Sequence, residues 1–325
     1  MTSIGFVLGS TLPPVLLPET SKALESAGFD SVWVSEDYFF TGGVSGAAVV
    51  LGATERIHVG IGLLPIYVRH PALSAMEAAT LAGAYPHRFS LGFGSGVKFW
   101  LEQMGQPQSA PLGAMRETVG SVRALLEGET LTSEGRFTFD GVKLTFPPEF
   151  PPPIYIGATG PKMTALSGEI ADGVLMSVLC TPEFVANSRR VIDAAATAAG
   201  RGHTKITAFA VFSLADTVEE ARAAARPVVA DYLSLGSGEL SKAAGISDEL
   251  DAILAAGGRE KLLAEMPDSW IDRVSICGDG PTALAAIEAL GAAGADEVAL
   301  MPVESHDLVG QVERAGRMLG LSHRN

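Results

Sequence analysis

Cysteine is nearly absent: the chain of 325 residues carries two, Cys180 and Cys277. They have no metal-ligand spacing and no C-x-x-C pairing, which excludes a disulfide framework and a dithiol redox motif. The six histidines are scattered singly, so no metal is expected. Basic residues are scarce too, 23 Lys and Arg against 37 Asp and Glu, giving a net charge of −14 and a pI near 4.9. Such a surface repels nucleic acid and anionic membrane, and no Lys/Arg-rich run makes a local exception. A phosphorylated ligand would therefore depend on backbone N–H groups and a few local donors. No uninterrupted apolar run reaches the ~18 residues of a membrane span. The N-terminal apolar stretch is not preceded by basic residues, so no signal peptide is expected and the expected address is the cytoplasm.

What is present is apolar material in a regular order. Hydrophobic residues make up 47% and charged residues 18%, outside the composition of disordered chains. Short β-branched or apolar runs at 3–9, 31–36, 57–64, 88–94, 154–157, 173–178, 205–214 and 297–302 read as strands. Amphipathic stretches at 18–27, 46–54, 72–84, 112–127, 161–171, 182–199, 281–293 and 306–319 read as helices between and after them. Two segments interrupt the alternation. Residues 130–146 read as a small hairpin turning at Asp140-Gly141, and 217–266 as an Ala-rich helical stretch longer than one unit needs.

Eight strand–helix units in strict alternation argue for parallel strands, and no change of winding direction is visible. The expected fold is α/β: a (β/α)8 TIM barrel with a small β-insertion after the fourth helix and a helical insertion after the seventh strand. No linker-like composition divides the chain, so residues 1–325 are expected to form a single domain.

Barrel enzymes carry their chemistry at the C-terminal ends of the strands. That rule selects Glu36 and Asp37, residues 62–64, 94–96 and 157–161, and Ser177. Adjacent carboxylates at a strand end alternate in direction, so one of Glu36 and Asp37 can face the barrel mouth. A carboxyl group beside an apolar ring has a raised pKa and can exchange a proton, which makes the two the candidate catalytic residues. The alternative is an acid that stabilises the loop or caps the next helix. Gly60 and Gly62 within one strand suggest a bulge or the close approach of a ligand, although barrel geometry alone can require them.

The run Gly92-Phe93-Gly94-Ser95-Gly96 lacks the Lys-Ser/Thr of a P-loop and the spacing of a dinucleotide fold. At the end of strand four its small residues would let a planar ring approach the backbone, so Gly94, Ser95 and Gly96 are cofactor-binding candidates. Gly157, Ala158, Thr159, Gly160 and Pro161 lead from strand five into a helix, whose first N–H groups form an anion seat. An ordinary capped helix would read the same way. Arg69-His70-Pro71 is expected to open the third helix and brace its loop. Trp100, Trp270 and Phe39 are possible walls of a substrate pocket or plain packing; Glu304 and His306, after strand eight, receive no role.

Three segments together resemble the bacterial luciferase-like family, in particular its deazaflavin-dependent branch of the methylenetetrahydromethanopterin reductase type. They are the run Ala27-Gly28-Phe29-Asp30-Ser31-Val32-Trp33-Val34-Ser35-Glu36-Asp37-Tyr38-Phe39; Arg69-His70-Pro71 with the stretch from Arg88 to Gly96; and Tyr155 to Lys162 with Gly168-Glu169-Ile170-Ala171-Asp172-Gly173. The resemblance implies a (β/α)8 barrel and hydride transfer between coenzyme F420 and a small organic substrate. It implies a non-proline cis peptide at Gly62–Leu63 behind the ring, and a cofactor phosphate on the loop from Gly157 to Pro161. It also implies a homodimer, for which the Ala/Gly-rich segments 46–52 and 72–84 are suited.

Two departures from the family pattern are visible. The acid after strand two is often followed by His, where this chain has Asp37, and some relatives carry a glutamate where it has Val97 and Lys98. The alternatives are a two-component monooxygenase using FMN and a non-catalytic flavin- or deazaflavin-binding barrel. A nicotinamide enzyme is excluded by the lack of a strand–GxGxxG–helix unit. Few basic residues stand near the strand ends, which speaks against a phosphorylated sugar as substrate.

Overall fold

The computed structural model describes residues 2–106, 108–235, 238–303 and 307–321. The chain opens with β1 (Ser3–Leu8), α1 (Leu17–Ala27), β2 (Ser31–Val34), α2 (Gly43–Ala53), β3 (His58–Pro65), α3 (Pro71–Ala84) and β4 (Phe89–Gly94). After it come α4 (Lys98–Gln103), α5 (Pro111–Leu126), the hairpin β5 (Leu131–Ser133) and β6 (Phe139–Val142), β7 (Ile154–Gly157), α6 (Pro161–Ile170), β8 (Gly173–Met176) and α7 (Pro182–Ala198). The last third holds β9 (Lys205–Leu214), α8 (Val218–Ser234), α9 (Gly238–Ala243), α10 (Ser247–Glu265), α11 (Asp268–Val274), β10 (Ile276–Gly278), α12 (Gly280–Ala292), β11 (Glu297–Pro302) and α13 (Leu308–Met318).

Eight parallel strands close into a barrel in the order β11–β1–β2–β3–β4–β7–β8–β9, with β9 returning to β11. Strands covered on both faces read as continuous apolar runs, and β2 and β4 are buried at every position. Inside the barrel, Val7, Trp33, Tyr155, Leu175 and Ala299 pack together with Leu63, Phe209 and Met301. The larger core lies between the strands and the helical ring. Helix starts follow from local chemistry: the Thr181 and Thr217 hydroxyls accept the amides of Phe184 and Glu220, each at 3.2 Å. Among the described residues, no helix is long and apolar enough to cross a membrane and no cluster of ligating side chains suits a metal ion.

The expected hairpin exists, but its turn is elsewhere. Asp140-Gly141 lies within β6, and the chain reverses over 134–138. Gly141 has φ +63° where the β5–β6 register shifts, and its amide donates to Thr132 Oγ1 at 3.0 Å. The glycine thus serves a bulge. The turn itself is tied to α5, because the Phe137 amide donates to Glu117 Oε1 at 3.0 Å.

The helical insertion comprises α8 to α10 and extends into α11. Two short elements carried no periodic signal: α4, and β10, which pairs with the upper part of β9 through Ile276 and Phe212. Three residues are too few to show an alternation. Residue 306, the expected start of the last helix, lies outside the described residues, as do Glu304 and His306.

Candidate active site

A cavity of about 570 Å³ opens at the C-terminal ends of the barrel strands. Its floor is the upper layer of the barrel interior: Val7, Leu63, Leu175, Phe209 and Met301. Its walls come from the segments after β2, β4, β7 and β8, with Trp100 added by α4 and Tyr232 by α8.

The floor is shaped by Leu63. The pairing of β3 with β4 shifts register between Ile61 and Leu64, and the Gly62–Leu63 peptide is cis. A Cβ placed on Gly94 would sit 2.9 Å from Leu63 Cδ1, and one on Gly157 closer still. The sequence suggests Gly94 as clearance for a planar ligand and Gly157 as part of an anion seat. In the structure they first make room for Leu63, which then presents its own side chain to the cavity.

The two acids behave differently. Glu36 is 9% exposed and accepts Arg69 Nη2 at 3.0 Å, the Gly43 amide at 2.8 Å, and Arg69 Nη1 on its other oxygen. Burial works against the charge on Arg69, but the Glu36 hydrogen bonds and charge outweigh it and raise the guanidinium pKa. The paired arrangement is bidentate, the geometry in which Arg–carboxylate contacts are strongest. Asp37 lines the cavity and accepts a hydrogen bond from Ser10 Oγ at 2.6 Å. Tyr38 follows, its ring 6.2 Å from that of Trp100 in an edge-to-face contact. Burial, then the Glu36 charge, push the Tyr38 hydroxyl above its ordinary pKa, so it stays protonated.

Across the barrel mouth, α6 begins with Gly160 as N-cap and Pro161 at its first position. No side chain caps it and no acid stands in its first turn, while Lys162, exposed, does. Its leading N–H groups, those of Lys162 and Met163, therefore carry the positive end of the helix dipole without a protein acceptor supplied by the cap. Thr159 and Gly160 line the cavity at this end.

Across residues 13–297 the chain matches the sequence model of the luciferase-like monooxygenases. It belongs to that family. A 5,10-methylenetetrahydromethanopterin reductase of Methanolobus tindarius is 31% identical to it over 82% of this chain and 83% of the relative. An F420-dependent glucose-6-phosphate dehydrogenase of Nakamurella multipartita is 35% identical over 50% of this chain and 52% of its own length. Among solved structures, the coenzyme F420-dependent tetrahydromethanopterin reductase of Methanopyrus kandleri superposes with a TM-score of 0.86 over 98% of both chains at 25% identity.

In this luciferase-like chain one cavity gathers Glu36, Asp37, Gly62, Leu63, Gly94, Ser95, Gly96, Gly157, Ala158, Thr159, Gly160 and Ser177. Pro161 stands just outside it, at the head of α6. Trp100 is on the wall, whereas Phe39 is 67% exposed and Trp270 is buried in the outer core. His70 Nδ1 accepts the Ala72 amide at 3.2 Å and so opens α3, as expected of the Arg69-His70-Pro71 motif. The pairing of that Arg69 with Glu36 joins two luciferase-like motifs that are separate in sequence. Ser10 and Tyr232 had no signal, because one reaches the site through a long-range contact and the other from the insertion. Met163, in the first turn of α6, and Met301, at the end of β11, stood at positions the strand-end rule covers but as apolar residues carried no chemical signal.

At the opposite, N-terminal end of the barrel, Glu297 accepts hydrogen bonds from Ser31 Oγ, Thr207 Oγ1 at 2.8 Å and Trp33 Nε1 at 3.2 Å. Desolvation raises its pKa against the pull of those donors. It fixes Trp33, which packs against Tyr155 and Phe209 in the layer beneath the cavity. This end of a barrel serves stability.

Proposed function

We propose that the protein is an oxidoreductase that binds coenzyme F420 and moves a hydride between the deazaflavin ring and a small organic substrate. The observation that carries this reading is the layout of one cavity: an apolar floor at Leu63, an uncapped helix N-terminus at one side, and Asp37 at the other. The donor set fits the cofactor. The α6 N–H groups, the Thr159 hydroxyl and Lys162 suit a phosphate, and the apolar floor of Val7, Leu63, Leu175, Phe209 and Met301 suits a ring system. The glucose-6-phosphate dehydrogenase relative and the tetrahydromethanopterin reductase structure, both named for F420, support the choice of ring.

When bound, F420 supplies the carbon that accepts or delivers hydride. Leu63 and the apolar floor would hold the cofactor's ring and keep water from the site. Asp37 holds or takes up the proton that accompanies the hydride, steadied by Ser10. Glu36 fixes the loop through Arg69, leaving the proton to its neighbour. The same phosphate seat would hold FMN, so a two-component monooxygenase is the reading to separate. Anaerobic turnover that changes the deazaflavin absorbance, with no oxygen consumption in air, supports the proposal; oxygen uptake with reduced FMN and none with F420 overturns it.

We also propose a homodimer through α2 and α3, neighbours in the helical ring that expose Val49, Leu73 and Met76 among small residues. A cytoplasmic address agrees with two unpaired, buried cysteines.

A further inference from the structure

We infer that the compound entering beside Asp37 is uncharged, with an apolar or aromatic body, and is not a phosphorylated sugar. This rests on the function proposed above and names the substrate class for the same site.

The barrel order divides the cavity. The proposed cofactor seat draws on β3, β4, β7 and β8, which form one contiguous arc. The opposite arc, β9–β11–β1–β2, supplies Asp37, Tyr38 and Met301, and α8, which leaves β9, adds Tyr232. Trp100 bridges the two, edge-to-face with Tyr38 and, at 6.3 Å, with Phe40. The apolar surface continues outward: Phe40 and Phe99 are 55% and 62% exposed at this rim. Aromatic walls of this kind bind flat or apolar molecules through area and edge contacts.

Cations are missing where a sugar phosphate would need them. Among the described residues that line the cavity there is no Lys, Arg or His. The guanidinium beside it, that of Arg69, is committed to both oxygens of Glu36 and stands 3.7 Å from Glu77. Lys162 belongs to the cofactor arc. A phosphate on the substrate side would face Asp37 with no counter-charge, which opposes its binding.

The polar groups that remain suit a neutral carbonyl, hydroxyl or amine. Asp37 is one. The Tyr38 hydroxyl is a second, buried without a hydrogen-bond partner, and the Tyr232 hydroxyl a third: it donates to Met301 Sδ at 3.5 Å, a weak acceptor that a substrate oxygen would outcompete. Burial and the Asp37 charge raise its pKa, so it keeps its proton.

The test is calorimetric. The protein is first titrated with F420, and the loaded protein then with 1-phenylethanol, acetophenone, cyclohexanol and benzene, and separately with glucose 6-phosphate and inorganic phosphate. Binding of at least one neutral probe about tenfold or more tighter than glucose 6-phosphate is expected, a gap of about 1.4 kcal/mol. Trp100→Ala should weaken the aromatic probes by about tenfold, and Tyr232→Phe should weaken those bearing oxygen more than benzene. F420 binding with glucose 6-phosphate preferred, or with no neutral probe bound, overturns the substrate class and leaves the cofactor reading intact. Failure of F420 itself to bind overturns both.

Discussion

Arg69 closes on both carboxylate oxygens of Glu36, while Asp37, the next residue, faces the cavity and accepts a hydrogen bond from Ser10. The proposed function gives these two adjacent acids separate duties, a structural one to Glu36 and a chemical one to Asp37. Asp37→Asn should lower kcat by about 10²–10⁴-fold, the span typical of acid–base groups, with F420 affinity retained. Glu36→Gln should act on stability instead. It leaves Arg69 with Glu77, 3.7 Å from its Nε, as its remaining acid, a loss of roughly 2 kcal/mol, below that of a fully buried pair because Arg69 also keeps 25% of its side chain in solvent. Steady-state kinetics beside denaturant melts of both variants separates the two effects.

Lys162→Glu tests the anion seat. A negative charge in the first turn of α6 favours the helix dipole, so stability should hold or rise slightly. Affinity for F420 should nonetheless fall by about 3–10-fold, with a weaker dependence on salt. A titration at two salt concentrations reads both quantities. Equal affinity in variant and wild type would place the phosphate elsewhere.

The proposed dimer predicts a surface response. Leu73 and Met76 on α3 are each 51% exposed, and Leu73→Glu with Met76→Glu should give a monomer in analytical ultracentrifugation. Their exposure in one subunit means the fold of the monomer should survive. An unchanged dimer would move the interface off α3.

The barrel was legible because its strands are short, apolar and regularly spaced, and because parallel strands must alternate with helices. The site was legible only as a set of strand ends. Its internal logic was not, since the contacts that assign duties span 27 residues from Ser10 to Asp37 and 33 from Glu36 to Arg69. Gly94 and Gly157 illustrate the same limit: the sequence signals small residues, and only packing reveals Leu63 as what fills the space. Asp140-Gly141 carries a strong local turn signal, yet the contact of Glu117 with Phe137 sets the turn elsewhere. Tyr232 comes from an insertion whose Ala-rich pattern says helix and nothing about direction.

His58, at the start of β3, gives the fold a pH dependence. Its Nε2 lies 2.7 Å from Ser90 Oγ, and burial, reinforced by Lys205 and Arg88, pushes its pKa from 6.5 down to about 4. A depressed histidine is neutral in the folded state, whereas the unfolded chain takes up the proton. Its contribution is complete above pH 6.5 and is lost as pH falls toward about 4, by at most about 3 kcal/mol. Melting temperatures across that window should fall in the wild type and fall less in His58→Gln. Parallel curves would mean that His58 is accessible to protons in the fold.

The most direct measurement is a pair of titrations of the purified protein, one with F420 and one with FMN, followed by calorimetry. Micromolar or tighter binding of F420, with FMN at least about tenfold weaker, is the predicted result. FMN bound more tightly than F420, or neither bound, would contradict the assignment of the cavity between Asp37 and the α6 N-terminus.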